Sequence, residues 1–342
     1  MKKSLLRLTC RAALLVFIGV ALSGCARVEK HARHFYGLDT GIDVTVYTAS
    51  PHAESDIDSF EALITRLEDR LSISRQTSEI WRINHRADSL VAMSGALAPI
   101  ITACRREFAA SGGLFDVTVE PFKLLYGLES HQRENRVPSQ RELDSALALT
   151  GFGRVRFISD SVFVMPKGMH FDFGGIAKGY VLKETTAFFR EKGYTSFLVN
   201  LGGDLTTFGG KPSRDPWVIG IQDPRDSVNL IATLAFATGC VFTSGDYERC
   251  FIVNGKRYHH LFNPKTGVPG SLNMSATATG QDPLAVDAAV KTAFLMPAEQ
   301  ALGYLASRNM QGFIIDSSKT GWASAGLRKS LSPNPGFIVN YK

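Results

Sequence analysis

The sequence has no disulfide framework, no clear internal repeat and no Pro-, Gly- or Ser-rich linker. Two of its five cysteines, Cys10 and Cys25, belong to the amino-terminal segment that is considered next as an export signal and lipidation site. Cys104, Cys240 and Cys250 remain. Three cysteines do not form a disulfide set, and no CxxC or His-rich spacing indicates zinc. Cys240 and Cys250 can pair across a hairpin, but isolated buried thiols are the commoner explanation. The small, disulfide-stapled and zinc-dependent classes are therefore disfavoured.

The sequence also has no apolar run long enough for a permanent membrane-spanning helix. Four basic residues occur within the first eleven positions, and the apolar segment from Ala12 to Leu22 is too short to cross a bilayer. This pattern predicts an export signal over residues 1–24. The signal ends in Leu22-Ser23-Gly24-Cys25, which looks like the lipobox of bacterial lipoproteins. We therefore expect Cys25 to carry lipid chains, including palmitate. These chains would attach the protein to the periplasmic side of a bacterial membrane, as an inner membrane lipoprotein.

Little net charge remains once the signal is removed. The full chain has 38 Lys and Arg against 32 Asp and Glu, and the signal contains four of the basic residues and none of the acidic ones. No cluster of Lys and Arg with interleaved aromatic residues is present, so a nucleic-acid partner is not expected.

The remaining chain is long enough for one large domain with a substantial core. We assign residues 25–34 to a tether and 35–342 to the domain. Hydrophobic periodicity predicts a mixture of strands, hairpins and helices, which favours an α+β fold, largely antiparallel, over a doubly wound parallel sheet. Strands are expected at 42–47, 197–200, 217–222 and 230–237, hairpins at 155–164 and around Asn254-Gly255, and helices at 57–71, 96–111, 179–192 and 284–295.

Three glycine-containing segments each include at least one acidic residue. The first, Asp172-Phe173-Gly174-Gly175-Ile176-Ala177-Lys178-Gly179, leads from a strand into a helix, where glycines and free N–H groups allow close approach of a phosphate. It fits neither a Walker A loop nor a GxGxxG fingerprint. The others are Asn200-Leu201-Gly202-Gly203-Asp204 and Thr243-Ser244-Gly245-Asp246-Tyr247-Glu248-Arg249. Taken singly, each is about as consistent with a structural turn as with a binding loop.

Two further residues stand out as chemical candidates. His260 begins the polar segment His260-Leu261-Phe262-Asn263-Pro264-Lys265-Thr266-Gly267, where an imidazole can serve in proton transfer. Asp287 lies on an otherwise apolar helix, with Lys291 one turn later. This pair is either an i,i+4 salt bridge or part of a hard-oxygen site for Mg²⁺.

Together and in this order, these segments resemble the ApbE family of FAD:protein FMN transferases over roughly residues 35–315. Ser72, Ser78-Glu79 with Asn84, and Gly113-Leu114-Phe115-Asp116 also resemble stretches of that family that contact FAD. The resemblance implies a T-fold-like α+β architecture and Mg²⁺-dependent transfer of FMN from FAD to a Thr or Ser of another protein. It further implies acceptors among the flavin subunits of sodium-pumping NADH:quinone oxidoreductase (Nqr) or Rnf-type redox complexes.

The resemblance also implies roles for individual residues. His260 is the expected catalytic residue, and Asp246 is a weaker candidate for orienting or assisting it. Mg²⁺ is assigned to Asp287, a carbonyl near Gly175, and Lys291. FAD contacts are expected from Leu38, Thr40, Leu114, Phe115, Asp116, Asp172, Lys178 and Phe262.

Three positions depart from the usual family pattern: Leu38-Asp39-Thr40 at the first strand, Ser74 near the expected isoalloxazine position, and Lys291 where Thr is common. A protonated Lys side chain cannot ligate Mg²⁺, although a backbone carbonyl at that position can. Two alternatives therefore remain: an FAD pyrophosphatase that uses water, and a non-enzymatic flavin-binding lipoprotein.

Overall fold

The structure, a computed structural model, describes residues 27–128 and 134–342. The predicted signal segment and Cys25 lie outside the described residues. Among the residues that are described, no helix is both long and apolar enough to span a membrane.

Eight α-helices occur within residues 27–128 and 134–342, and the longest illustrates why they form. In α1 the buried residues Ile57, Phe60, Ile64, Leu67 and Leu71 recur at helical spacing, so a single apolar face packs on the core. The helices are α1 (Ala53–Leu71), α2 (Glu79–Asn84), α3 (Ala98–Ala110), α4 (Glu120–Tyr126), α5 (Gln140–Leu147), α6 (Ala177–Glu191), α7 (Pro283–Phe294) and α8 (Ala298–Ala306).

The described strands form one large sheet and several small ones. They are β1 (Glu29–Gly37), β2 (Thr40–Thr48), β3 (Leu90–Ala92), β4 (Arg156–Phe157), β5 (Val162–Val164), β6 (Phe197–Leu201), β7 (Asp204–Phe208), β8 (Trp217–Asp223), β9 (Asp226–Phe236), β10 (Gly239–Gly245), β11 (Cys250–Val253), β12 (Lys256–His259), β13 (Phe262–Asn263), β14 (Val268–Pro269), β15 (Asn273–Gly280), β16 (Gln311–Asp316), β17 (Gly321–Ala323), β18 (Leu331–Pro333) and β19 (Val339–Tyr341).

The large sheet has the order β1-β2-β6-β7-β10-β15-β16-β17-β19. Its neighbouring strands are antiparallel except for the parallel β17–β19 pair. Two smaller sheets have the orders β18-β9-β8 and β3-β5-β4, and β11–β12 and β13–β14 are two-stranded hairpins. The predicted α+β class with largely antiparallel sheets is confirmed.

The central strands are buried on both faces because successive side chains belong to two different cores. Phe242 and Ile314 pack with the helices on one face, whereas Val241 and Phe313 pack against the β18-β9-β8 sheet on the other. Helix α7 is buried almost all round, with contacts to α3, α6, α8, β10 and β15. Its polar residue Asp287 is therefore fully buried in the interior, and Lys291 is partly buried.

The predicted elements are confirmed with small shifts at their ends, and one boundary is wrong. The Asn254-Gly255 hairpin is present, and both residues have positive φ, 51° and 75°. The tether assigned to residues 25–34 is too long, because β1 begins at Glu29 and pairs with β2 along its whole length. The sequence analysis also did not predict α4 and α5, which carry a small separate core.

Candidate functional site

The site is built where α6 and α7 approach each other closely. A Cβ atom placed on Gly179 would lie 2.6 Å from both the Asp287 Cβ and the Pro283 carbonyl oxygen, so only glycine fits this contact. The close approach lets the Gly179 N–H donate a 2.7 Å hydrogen bond to Asp287 Oδ2. The segment Ala177-Lys178-Gly179 therefore serves to bring two helices together over a buried carboxylate.

Asp287 has no exposed surface, and its other carboxylate oxygen, Oδ1, accepts a hydrogen bond from the Lys291 ammonium. Burial raises the pKa of the Asp287 carboxyl above its ordinary value, whereas the Lys291 ammonium and the Gly179 N–H act in the opposite direction. A second carboxylate nearby has a similar arrangement, since Asp204 pairs with Lys178 at 3.0 Å. Each acid at this point thus has its own lysine.

These contacts do not fit the predicted Mg²⁺ site. Both oxygens of Asp287 already accept a hydrogen bond, and the group beside Oδ1 is a cation that repels a second cation. An ammonium has no lone pair with which to bind a metal, so Lys291 can provide a ligand only through its backbone carbonyl, which stays a prediction. Across the described parts of the chain, no group of three or more His, Cys, Asp or Glu residues is arranged to hold a metal ion. The carbonyl near Gly175 stays a prediction.

The turn that precedes α6 places Asp172 at the start of a 3₁₀ helix, Phe173–Gly175. Asp172 accepts a 2.8 Å hydrogen bond from the Gly174 N–H and forms an ion pair with Lys123 of α4. Burial pushes the pKa of Asp172 upward, but the Lys123 ammonium and the Gly174 N–H outweigh burial, so the pKa lies below its usual value. Asp172 is therefore held as an anion.

Asn84 at the end of α2 fixes the backbone just before Asp172. Its side chain donates to the Phe171 carbonyl and accepts from the Phe171 N–H, each at 2.8 Å. Asn84 is buried, and its amide satisfies both backbone polar groups of Phe171, as a neighbouring strand would do. The position of Asp172 consequently depends on α2 as well as on its own turn.

His260 lies just after β12, near three cationic side chains. Burial lowers the pKa of His260 to about 3, and the charges of Lys123, Arg249 and Lys291, together with the ring of His259, act in the same direction. The Nδ1 atom of His260 is buried and has no hydrogen-bond partner among the described residues. The imidazole is therefore neutral at pH 7, lies near positive charge, and has one ring nitrogen that is unpaired within the described residues.

His259 has a different environment, because successive side chains on a strand point to opposite faces. Its Nε2 donates to the Gly270 carbonyl at 2.7 Å, and its Nδ1 accepts from the Leu261 N–H at 3.2 Å. Both ring nitrogens are thus used within the fold, and the ring packs edge-on against Phe294. His259 has a structural role and leaves the candidate chemistry to His260.

Asp246, the weaker catalytic candidate, forms a bidentate ion pair with Arg225 at 2.6 and 2.7 Å. Arg225 lies between β8 and β9, and Asp246 follows β10, so the pair holds the tip of one hairpin to the end of a central strand. Both oxygens of Asp246 are engaged in a geometry that favours a fixed carboxylate. The structure gives Asp246 a positioning contact, and its part in proton transfer stays a prediction.

The predicted FAD-contacting residues divide between surface and interior. Asp116 is buried and accepts from the Thr118 N–H and hydroxyl and from the Phe152 N–H, so its carboxylate is satisfied by its own loop. Phe115 is also buried, packs toward Gly175 and connects this loop to the turn before α6. Their part in binding FAD stays a prediction.

Four other predicted contacts are partly or fully buried. Leu38 occupies the two-residue turn between β1 and β2 with a φ of 54°, and Thr40 nests against Gly202 of the β6–β7 turn. Phe262 is buried in the small core with the rings of Phe122 and Tyr126, 5.8 and 5.2 Å away. Leu114 is partly buried.

The structure also brings in residues that sequence reasoning missed. Lys123 and Arg225 have no motif around them, and their partners lie on other elements of the chain. Asn84 lies in a stretch that resembles the family's FAD-contacting residues, but its hydrogen bonds to Phe171 were not predicted. Arg249 was part of a quoted motif but had no assigned role. No signal in the sequence marks Lys123 beyond its being a lysine on a short helix.

With this geometry established, comparison with known proteins identifies the family. The sequence profile of the ApbE family matches residues 38–314. An FAD:protein FMN transferase of Klebsiella pneumoniae is 31% identical over 79% of this chain and 85% of its own length. One of Escherichia coli K12 is 27% identical over 97% of this chain and 99% of its own length.

A solved structure with a similar level of sequence identity confirms the fold. The ApbE protein of Thermotoga maritima superposes with a TM-score of 0.82 at 26% identity, and the match covers 88% of this chain and 99% of that one. Profile, relatives and fold agree over the segment that contains the site described above. The chain therefore belongs to the ApbE family.

Proposed function

We propose that this chain is a transferase that moves the FMN half of FAD onto a Thr or Ser hydroxyl of another protein and releases AMP. The observation that carries the proposal is the position of His260, a neutral imidazole with a free ring nitrogen close to Lys123, Arg249 and Lys291. Cations around a neutral base suit a diphosphate substrate and a hydroxyl nucleophile. The ApbE relatives named above carry this activity in their names.

The reaction forms one bond and breaks one. The acceptor hydroxyl oxygen attacks the FMN phosphorus of the diphosphate, the bridging P–O bond breaks, and AMP leaves with the bridging oxygen. The hydroxyl proton passes to the free nitrogen of His260 and from there to AMP or water. The nearby cations offset the negative charge that develops on the leaving phosphate. No step is assigned to Mg²⁺, because the Asp287 donor set does not fit the ion.

The low pKa of His260 is consistent with this role because substrate binding changes its surroundings. A bound diphosphate brings negative charge among the same cations that depress the imidazole. Binding of FAD therefore raises the proton affinity of His260 at the moment when a base is required. Without substrate the ring stays neutral, because the nearby cations disfavour its protonation.

The acceptors that we propose are the periplasm-facing flavin subunits of Nqr or Rnf-type complexes, as the sequence resemblance suggested. An exported enzyme held at the membrane surface through a lipidated Cys25 would meet such subunits directly. Cys25→Ser should yield a soluble exported or uncleaved precursor without acyl label. Unchanged acyl labelling of that variant would refute the lipid anchor.

The function is tested by incubating the mature domain with FAD, with and without such an acceptor domain. Mass spectrometry of the acceptor and chromatography of the nucleotides then separate the three candidates. FMN-labelled acceptor with stoichiometric AMP supports the proposal. Free FMN and AMP irrespective of acceptor indicate a pyrophosphatase, and unchanged FAD indicates a binding protein. A His260→Asn variant should lose about 10²- to 10⁴-fold in transfer rate at saturating FAD.

A further inference from the structure

The ion pair between Lys291 and Asp287 lies in the interior of the site. Asp287 is fully buried and the Lys291 side chain is 18% exposed, although both belong to α7. Salt bridges of this i,i+4 spacing usually lie on the outer surface of a helix, where they contribute little. A buried carboxylate with no cation beside it is strongly unfavourable, and the Lys291 ammonium next to Asp287 Oδ1 offsets that cost.

The charge of the surrounding cluster is balanced by the protein alone. Asp287 and Asp204 face Lys291 and Lys178, and Lys178 interacts electrostatically with both acids. A divalent ion placed at Asp287 would have to displace the Lys291 ammonium or lie beside it, and two adjacent cations repel each other. The two acids are thus already neutralised by two lysines.

Lys291 also faces the reacting centre. It lies close enough to His260 to act on the imidazole electrostatically, as do Lys123 and Arg249. These three side chains come from α7, α4 and the segment after β10 and carry three positive charges. A diphosphate bound beside His260 would therefore meet fixed cations of the protein itself.

We propose that Lys291 is a built-in cation that occupies the charge-compensating position at Asp287, so that FAD cleavage at this site proceeds without a bound divalent ion. The inference rests on the proposed function for its catalytic part, and its binding part can be tested without catalysis. The single positive charge of Lys291 then neutralises the buried acid in place of a divalent ion. A Thr at the same position would remove the cation and supply an oxygen ligand instead.

The first measurement is Mn²⁺ binding, which is detected as a loss of the electron paramagnetic resonance signal of the free ion. The wild-type protein without FAD should leave the Mn²⁺ signal unchanged at micromolar ion. Lys291→Thr should bind one Mn²⁺ per chain at least about 10-fold more tightly than the wild type. Tight binding of Mn²⁺ by the wild type would overturn the inference, and so would a folded Lys291→Thr protein that binds no better.

The second measurement is AMP release from FAD with EDTA or with millimolar Mg²⁺. Wild-type rates should agree within about 3-fold, whereas Lys291→Thr should lose about 100-fold in EDTA and recover with Mg²⁺. Abolition of wild-type activity by EDTA with recovery in Mg²⁺ would overturn the inference. If no condition yields AMP or FMN-labelled acceptor, the proposed function fails, and Mn²⁺ binding still decides the role of Lys291.

Two further variants make the result specific. Lys183→Thr removes another lysine, paired with Asp282 at 3.4 Å on the exposed side of α6, and should match the wild type in both measurements. Lys291→Arg retains the cation and should bind no Mn²⁺. Thermal unfolding identifies any variant that does not fold. In that case the wild-type measurements alone decide, because tight Mn²⁺ binding or loss of activity in EDTA with recovery in Mg²⁺ would overturn the inference.

Discussion

The depressed pKa of His260 makes the stability of the folded protein depend on pH in a defined window. Its pKa falls from the usual 6.5 to about 3, first through burial and then through Lys123, His259, Arg249 and Lys291. Between these two values the unfolded chain binds a proton at His260 that the folded chain does not. Folding stability due to this group is therefore complete above about pH 6.5 and decreases as the pH falls toward 3.

The size of the effect follows from the shift. Each pH unit inside the window changes the free energy of unfolding by up to about 1.4 kcal/mol. Because the residue as a whole is partly exposed, we expect about 1 to 2 kcal/mol between pH 6.5 and 5. Urea unfolding of the wild type and His260→Gln at several pH values measures this difference, since other titrating groups are common to both proteins.

Exposed His52 supplies the control, because His52→Gln should leave the pH dependence of the wild type unaltered. Ring signals of His260 in nuclear magnetic resonance should also show no titration above pH 5. If wild type and His260→Gln lose stability in parallel from pH 7 to pH 5, the imidazole is not desolvated as described. The argument for a neutral base in the site would then be refuted.

Three other substitutions test the contacts that position the site. Gly179→Ala places a methyl group against Asp287 and should cost about 1 to 3 kcal/mol of stability and weaken FAD binding, measured by denaturation and fluorescence; unchanged stability would contradict the close α6–α7 contact. Asn84→Ala leaves both backbone groups of Phe171 without their side-chain partner and should cost about 2 to 4 kcal/mol in thermal or urea unfolding; an unchanged unfolding free energy would contradict this role. Asp246→Asn breaks the bidentate pair with Arg225 and should lower stability while kcat at saturating FAD changes by less than about 10-fold; a loss of about 10²-fold or more in kcat with normal folding would restore Asp246 as a catalytic group.

The sequence determined the features that depend on neighbouring residues. Helical spacing located α1, and the Asn254-Gly255 pair located its hairpin, because both patterns act over a few positions. The order of the glycine and acid segments identified the family, and His260 and Asp287 were selected within them. The Asp287–Lys291 salt bridge was also foreseen as one of two alternatives, since residues four apart on a helix face the same side.

Only the tertiary structure decided what surrounds those residues. It placed Lys123 against Asp172, Arg225 against Asp246 and three cations near His260, all from elements distant in the chain. It also placed the Asp287–Lys291 salt bridge toward the interior rather than on an outer helix surface, because α7 is buried among its neighbours. Charge, burial and hydrogen bonding at a site are set by the crossing of elements in space, and no local pattern in the sequence encodes which elements will cross.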